Sequence, residues 1–167
     1  FLSAEPYAEV TWASHYDPET GRPVENPGED YSEGSATVQP ASSGAHNWQP
    51  MAYDPALGLV FIPVIDSLFT YKAREPLEIE RGLRNVGVDR RDNPPGNALF
   101  LSVLQDRLIA GGLLAWNPRE EKAAWQISYP RAWNGGLLST ASGLLFHGSG
   151  EGAFLAYRSQ DGESLWR

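Results

Sequence analysis

The chain has 167 residues with 13 Lys and Arg against 21 Asp and Glu, a net charge of −8, which argues against a nucleic-acid surface because phosphate binding needs a basic stripe. The 17 Gly and 13 Pro disfavour a helix bundle, the 19 aromatic residues argue against disorder, and the absence of Cys excludes disulfides, zinc–thiolate sites, iron–sulfur clusters and c-type haem attachment in this chain. The acid excess is local: residues 1–40 hold eight acids against Arg22 alone, and it reads as a solvated stretch or, secondarily, a steering field or cation site.

Phe1 to Glu5 shows neither an initiator Met nor a basic-then-apolar signal pattern, and reads as the interior of a longer chain or a processed product. Tyr16 to Gly21 reads as a turn, and Asn26 to Ala45 as a long Pro, Gly and Ser-rich loop. Gly58 to Val64 and Ser67 to Tyr71 predict a strand, short turn, strand unit. The apolar run from Gly58 to Ile65 contains Pro63 and is far shorter than the ~20 residues of a membrane-spanning helix. Ala73 to Asn97 reads as a charged loop with a short helical turn within Pro76 to Leu83.

The C-terminal third alternates short apolar runs with Gly, Asn, Asp and Ser clusters, which predicts antiparallel strands in series. Strands are expected at Leu108 to Gly111, Leu113 to Trp116, Ala123 to Ile127, Leu137 to Thr140, Leu144 to His147 and Ala153 to Arg158, with a last one ending at Trp166. A repeat runs through them: Ala115, Asn117, Glu121 and Trp125 recur as Ala156, Arg158, Gly162 and Trp166, offset by 41 residues. A period near 40 with four strands per unit is the signature of propeller blades, and the Trp in each unit reads as packing between blades.

Standard catalytic motifs are missing: there is no Gly-x-Ser-x-Gly elbow, Walker loop or His-Glu-x-x-His. Gly148 to Gly152 resembles a phosphate loop but lies between two strands, so a hairpin turn is expected. His15, His46 and His147 are too scattered for a metal site and default to structural or surface roles, while the acid pairs Glu29-Asp30 and Glu120-Glu121 read as solvated. The unusual pattern is Asn47-Trp48 together with Trp133-Asn134, each placing an indole beside an amide just before a strand. Such pairs suit a flat aromatic cofactor, with indole for the ring and amide N–H for its carbonyls and carboxylates; packing between blades is the competing reading.

Several strings resemble one family. The run from Gly44 to Pro63 (GAHNWQPMAYDPALGLVFIP) is similar to the pyrroloquinoline-quinone (PQQ)-dependent alcohol dehydrogenases, especially the quinohaemoprotein type. So are Phe1 to Pro6, Thr20 to Asn26, Leu113 to Pro118, Trp133 to Gly148 and Gly162 to Trp166. The resemblance implies an all-β fold: about three to four four-stranded antiparallel blades of an eight-bladed quinoprotein propeller, with residues 1–167 forming one incomplete domain. It also implies alcohol oxidation in the periplasm with PQQ and calcium, a small alcohol substrate, electron transfer to a haem or cytochrome c, and an N-terminal half of the propeller as the missing complement. Asn47 and Trp48 match the pair that contacts PQQ, and Trp133 matches a tryptophan lining the cofactor cavity. The catalytic Asp, the calcium ligands and the vicinal disulfide are expected before residue 1, so no catalytic or metal residue is assigned here. Glu121, where Gly is expected, and Arg158, where Asp is usual, depart from the turn pattern. The alternative is a non-catalytic propeller of the same repeat superfamily serving as a protein-binding scaffold.

Overall fold

The computed structural model describes residues 3–31, 34–82, 85–89, 109–131 and 133–167. All its named strand pairs are antiparallel. Strands β1 (Ala13–Tyr16) and β2 (Pro23–Glu25) form a hairpin, and β3 (Ser35–Val38) pairs with β6 (Phe69–Lys72). A four-stranded sheet runs in the order β4 (Ala52–Asp54), β5 (Leu59–Ser67), β7 (Ile109–Asn117) and β8 (Lys122–Tyr129). A second runs β9 (Leu137–Ser139), β10 (Leu144–Gly148), β11 (Phe154–Arg158) and β12 (Ser164–Trp166). The edge strands β4 and β9 of the two sheets lie side by side.

The sheets pack because strand alternation places apolar side chains on facing sides. Leu59, Phe61, Leu113 and Ala115 of the first meet Leu137, Leu145, Leu155 and Tyr157 of the second in one core. Phe61 and Leu145 are wholly buried, each burial stabilising by roughly 1.5–3 kcal/mol. The repeat seen in the sequence is a repeat of register: Ala115 pairs with Trp125 in one hairpin and Ala156 with Trp166 in the other. This is the arrangement of a partial propeller.

The turns repeat as well. Asp17, Asp54 and Asn117 each accept a backbone N–H two residues on, at 2.8 to 3.0 Å. Four residues after each, and after Arg158, the chain takes positive φ: 67° at Gly21, 68° at Gly58, 52° at Glu121 and 75° at Gly162. Only glycine adopts this without strain, so Glu121 is the costly exception. At Arg158 the missing carboxylate is replaced by an ion pair from its guanidinium to Asp161 (2.8 Å) and to Glu163.

Three expectations are corrected. Gly58 to Val64 and Ser67 to Tyr71 do not fold back on each other: β5 pairs with β4 and β7, and β6 with β3. The central strand is long because Ile62, Pro63 and Ile65 are buried alongside Phe61 and the pairing with β7 continues through the exposed Asp66, opposite Ala110, to the buried Ser67. Leu113 to Trp116 is not a separate strand from Gly111 and its neighbours; both belong to β7, with Leu108 outside the described residues. Gly112 serves close approach rather than a turn, since a Cβ there would lie 3.0 Å from the Ile127 carbonyl. Pro76 to Gly82 contains no helical turn, and Leu83 lies outside the described residues.

Candidate functional site

The segments leading into the adjacent edge strands, 44–51 before β4 and 133–136 before β9, are joined to each other. The Leu137 amide donates to the Pro50 carbonyl at 2.9 Å. Gly136 is pressed so closely on Pro50 that a Cβ would sit 2.5 Å from its Cδ, and only glycine fits. Gly135 donates to the Gly148 carbonyl at 2.6 Å, and a Cβ on Gly150 would lie 2.0 Å from the Trp133 carbonyl oxygen. The glycines of the β10–β11 turn, predicted only as a hairpin, therefore also seat Trp133.

The first segment is fixed to β5. Ile65 donates to the Ala45 carbonyl at 2.8 Å, and His46 Nδ1 lies 2.9 Å from the Pro63 carbonyl oxygen. A carbonyl only accepts, so this ring carries its proton on Nδ1. Asn47 Nδ2 donates to the Ser43 carbonyl at 2.8 Å, and its Oδ1 accepts the Trp48 amide at 2.9 Å. Among the described residues, one amide N–H and one lone pair of Asn47 make no further bond. The indole of Trp48 is 70% exposed, whereas Trp133 is half-buried. The structure thus links the segments carrying the three predicted residues through Pro50 and Gly136, and it spends part of the Asn47 amide on the loop's own closure.

Of the buried polar groups near these segments, the sequence reading gave His147 a structural or surface role and did not single out Gln49 or the Tyr129–Tyr157 pair. His147 is wholly buried, its ring stacked on Tyr129 with centroids 5.3 Å apart. Burial pushes the imidazole below its usual range, with the Gly136 backbone opposing weakly, so the ring is neutral at pH 7. Tyr129 and Tyr157 share a hydroxyl contact of 2.8 Å, and burial followed by that contact pushes the Tyr129 phenol far up. Gln49 is 1% exposed, and its amide has no hydrogen-bond partner among the described residues. The signal for His147 was available: it sits two residues from Leu145, on the buried face of the same strand.

The donor set at the joined segments fits PQQ in part: an exposed indole for a ring face, and an amide with a spare donor and acceptor for oxygen groups. For calcium the fit fails, because among the described residues no three or more His, Cys, Asp or Glu side chains lie together as a metal site would need.

No protein-family model matches the chain. It is 39% identical over 169 residues to quinohemoprotein alcohol dehydrogenase ADH IIB of Pseudomonas putida, covering 99% of this chain and 23% of that protein. The chain is a homologue of part of the quinohaemoprotein alcohol dehydrogenases. It is also 33% identical over 175 residues to 1-butanol dehydrogenase (cytochrome c) of Thauera butanivorans, covering 99% and 24% of the two chains. The solved quinohemoprotein alcohol dehydrogenase ADHIIG from Pseudomonas putida HK5 superimposes with a TM-score of 0.84 at 32% identity, over 99% of this chain and 25% of that one. A europium-containing methanol dehydrogenase gives 0.79 at 26% identity, over 99% and 28%. The chain therefore spans about a quarter of the length of its quinohaemoprotein relatives, and its fold is theirs over that quarter. No helix among the described residues is long and apolar enough to cross a membrane.

Proposed function

We propose that this chain is a C-terminal part of a PQQ- and calcium-dependent dehydrogenase that oxidises alcohols to aldehydes in the periplasm and passes electrons to a haem or cytochrome c. Residues 1–167 then form one incomplete propeller domain whose complement is the N-terminal half of the ring. The observation that carries this reading is the junction at Pro50 and Gly136, which joins the Asn47-Trp48 segment to the Trp133 segment beside the edge strands β4 and β9. A binding scaffold would likewise need the packing of Trp125, but it gives no role to the joining of the Asn47-Trp48 segment to the Trp133 segment.

In this reading Trp48 and Trp133 bound the cofactor with apolar ring surface and keep water from it, while Asn47 orients it through the free half of its amide. The chemistry that PQQ supplies when bound is acceptance of a hydride equivalent from the alcohol carbon. The proton acceptor belongs to the complement. The test is dye-linked alcohol oxidation by the isolated 167-residue chain with PQQ and calcium present. No turnover is expected, and turnover above the protein-free rate would overturn the division of labour.

A further inference from the structure

The acidic segment has a structural counterpart distinct from the proposed cofactor site. Between the β1–β2 hairpin and the β3–β6 pair lies a cleft of about 340 Å³, walled by Trp12, Tyr31 and Tyr71 and rimmed by Glu25, Glu29 and Asp30. No Lys, Arg or His is among the described residues lining it.

The aromatic walls are held in place before any ligand arrives. Tyr31 and Tyr71 stack with centroids 5.3 Å apart, and Phe69 braces Tyr71 at 4.7 Å. The backbone around Trp12 is pinned on both sides: the Asn26 amide donates to the Trp12 carbonyl at 2.8 Å, and the Thr11 amide donates to the Gln39 carbonyl at 2.9 Å. Trp12 and Tyr71 are half-buried and Tyr31 is 40% exposed, so the rings form a partly dry concavity rather than scattered surface residues. Among the described residues neither Glu25 nor Glu29 makes an ion pair.

An apolar concavity alone could accept many ligands. Electron-rich ring faces combined with carboxylates, in a segment carrying seven of the eight net negative charges, favour a cation with an apolar shell over a neutral hydrocarbon or an anion. Small metal ions are poorly matched to aromatic walls, which cannot replace their water. We propose that this cleft binds a small organic ammonium ion, its alkyl groups against the Trp12, Tyr31 and Tyr71 rings and its charge matched by Glu25 and Glu29. The site uses none of Asn47, Trp48 or Trp133, so it stands whether or not the cofactor reading does.

The test is calorimetric titration of the full chain with choline at constant ionic strength, beside the neutral isostere 3,3-dimethylbutan-1-ol. Saturable choline binding is expected, with the isostere about tenfold weaker. Trp12→Leu is expected to weaken choline binding about fivefold, as is the double variant Glu25→Gln with Glu29→Gln. The double variant changes no apolar contact and guards against a Trp12 variant that fails to fold, with circular dichroism confirming the fold of each. Absence of saturable binding, equal affinity for the isostere, or unchanged affinity in the folded double variant would overturn the proposal.

Discussion

The indole Nε1 of Trp125 donates to the carbonyl of Ser159, 3.0 Å away, and so ties the outer strand of one sheet to the turn that closes the next. The same ring packs on Phe61 at 5.7 Å, and Gly162 lies so close that a Cβ would be 2.8 Å from its Cε3. One side chain thus supplies area, a hydrogen bond and a steric match to the positive-φ glycine of the turn. Truncation by Trp125→Ala is expected to cost about 3 kcal/mol of unfolding free energy, while Trp125→Phe, which keeps most of the area, should lose about 1 kcal/mol with the hydrogen bond. Denaturant unfolding separates the two variants. Equal stability of Trp125→Ala and the parent would mean that the sheets do not depend on this contact.

Glu121 occupies a left-handed position, with φ of 52°, that glycine fills in the corresponding turns. Among the described residues its side chain gains only an exposed bond from Ser3. Replacing it with glycine removes backbone strain but adds freedom to the unfolded chain, and the balance favours the variant by about 0.5–1 kcal/mol. Glu121→Gly should therefore raise the melting temperature, and a lower one would show that the turn is not strained.

His147 makes stability depend on pH. Its folded pKa lies below the unfolded value because burial penalises the imidazolium. Above about pH 6.5 both states are neutral and no cost arises; below it the unfolded chain binds a proton that the folded chain refuses, so stability falls with pH. The carboxylates held low, Asp17 by the Thr20 hydroxyl and Asp161 by the Glu163 amide, titrate below this window. Unfolding free energies measured between pH 7 and pH 5 should fall for the parent and stay flatter for His147→Leu. Parallel slopes would remove His147 from the account.

The Pro50–Gly136 contact can be opened by one methyl group. Gly136→Ala should cost about 1–3 kcal/mol and should free the Leu137 amide from the Pro50 carbonyl. Hydrogen exchange at Leu137 reads this directly: faster exchange is expected, and undiminished protection would show that the two segments tolerate separation.

The repeating part of the fold was legible, because each unit carries its own signal: Ala115 with Trp125 and Ala156 with Trp166 occupy the same register in their hairpins. What failed was pairing with strands distant in sequence. Nothing local to Ser67 or Phe69 reveals that one strand is paired with β7 and the other with β3. Gly111 and Gly112 suggested a break because glycine usually marks turns, whereas here strand β8 passes too close for a side chain at Gly112. At the candidate site the residue types of Asn47, Trp48 and Trp133 were readable, but the bonds that consume half of the Asn47 amide depend on a backbone path that residue types do not encode.

The claim that these segments help form a cofactor cavity is tested most directly at Trp48. Within residues 1–167 Trp48 is 70% exposed, so removing the ring breaks few contacts of this part of the protein, and an unchanged melting temperature of the complete protein assigns the effect to the ligand. PQQ should be titrated into the complete apoprotein carrying Trp48→Ala and into the parent, with melting curves recorded for both. The account predicts about a tenfold loss of PQQ affinity at unchanged melting temperature. Equal affinity in the two proteins would contradict it.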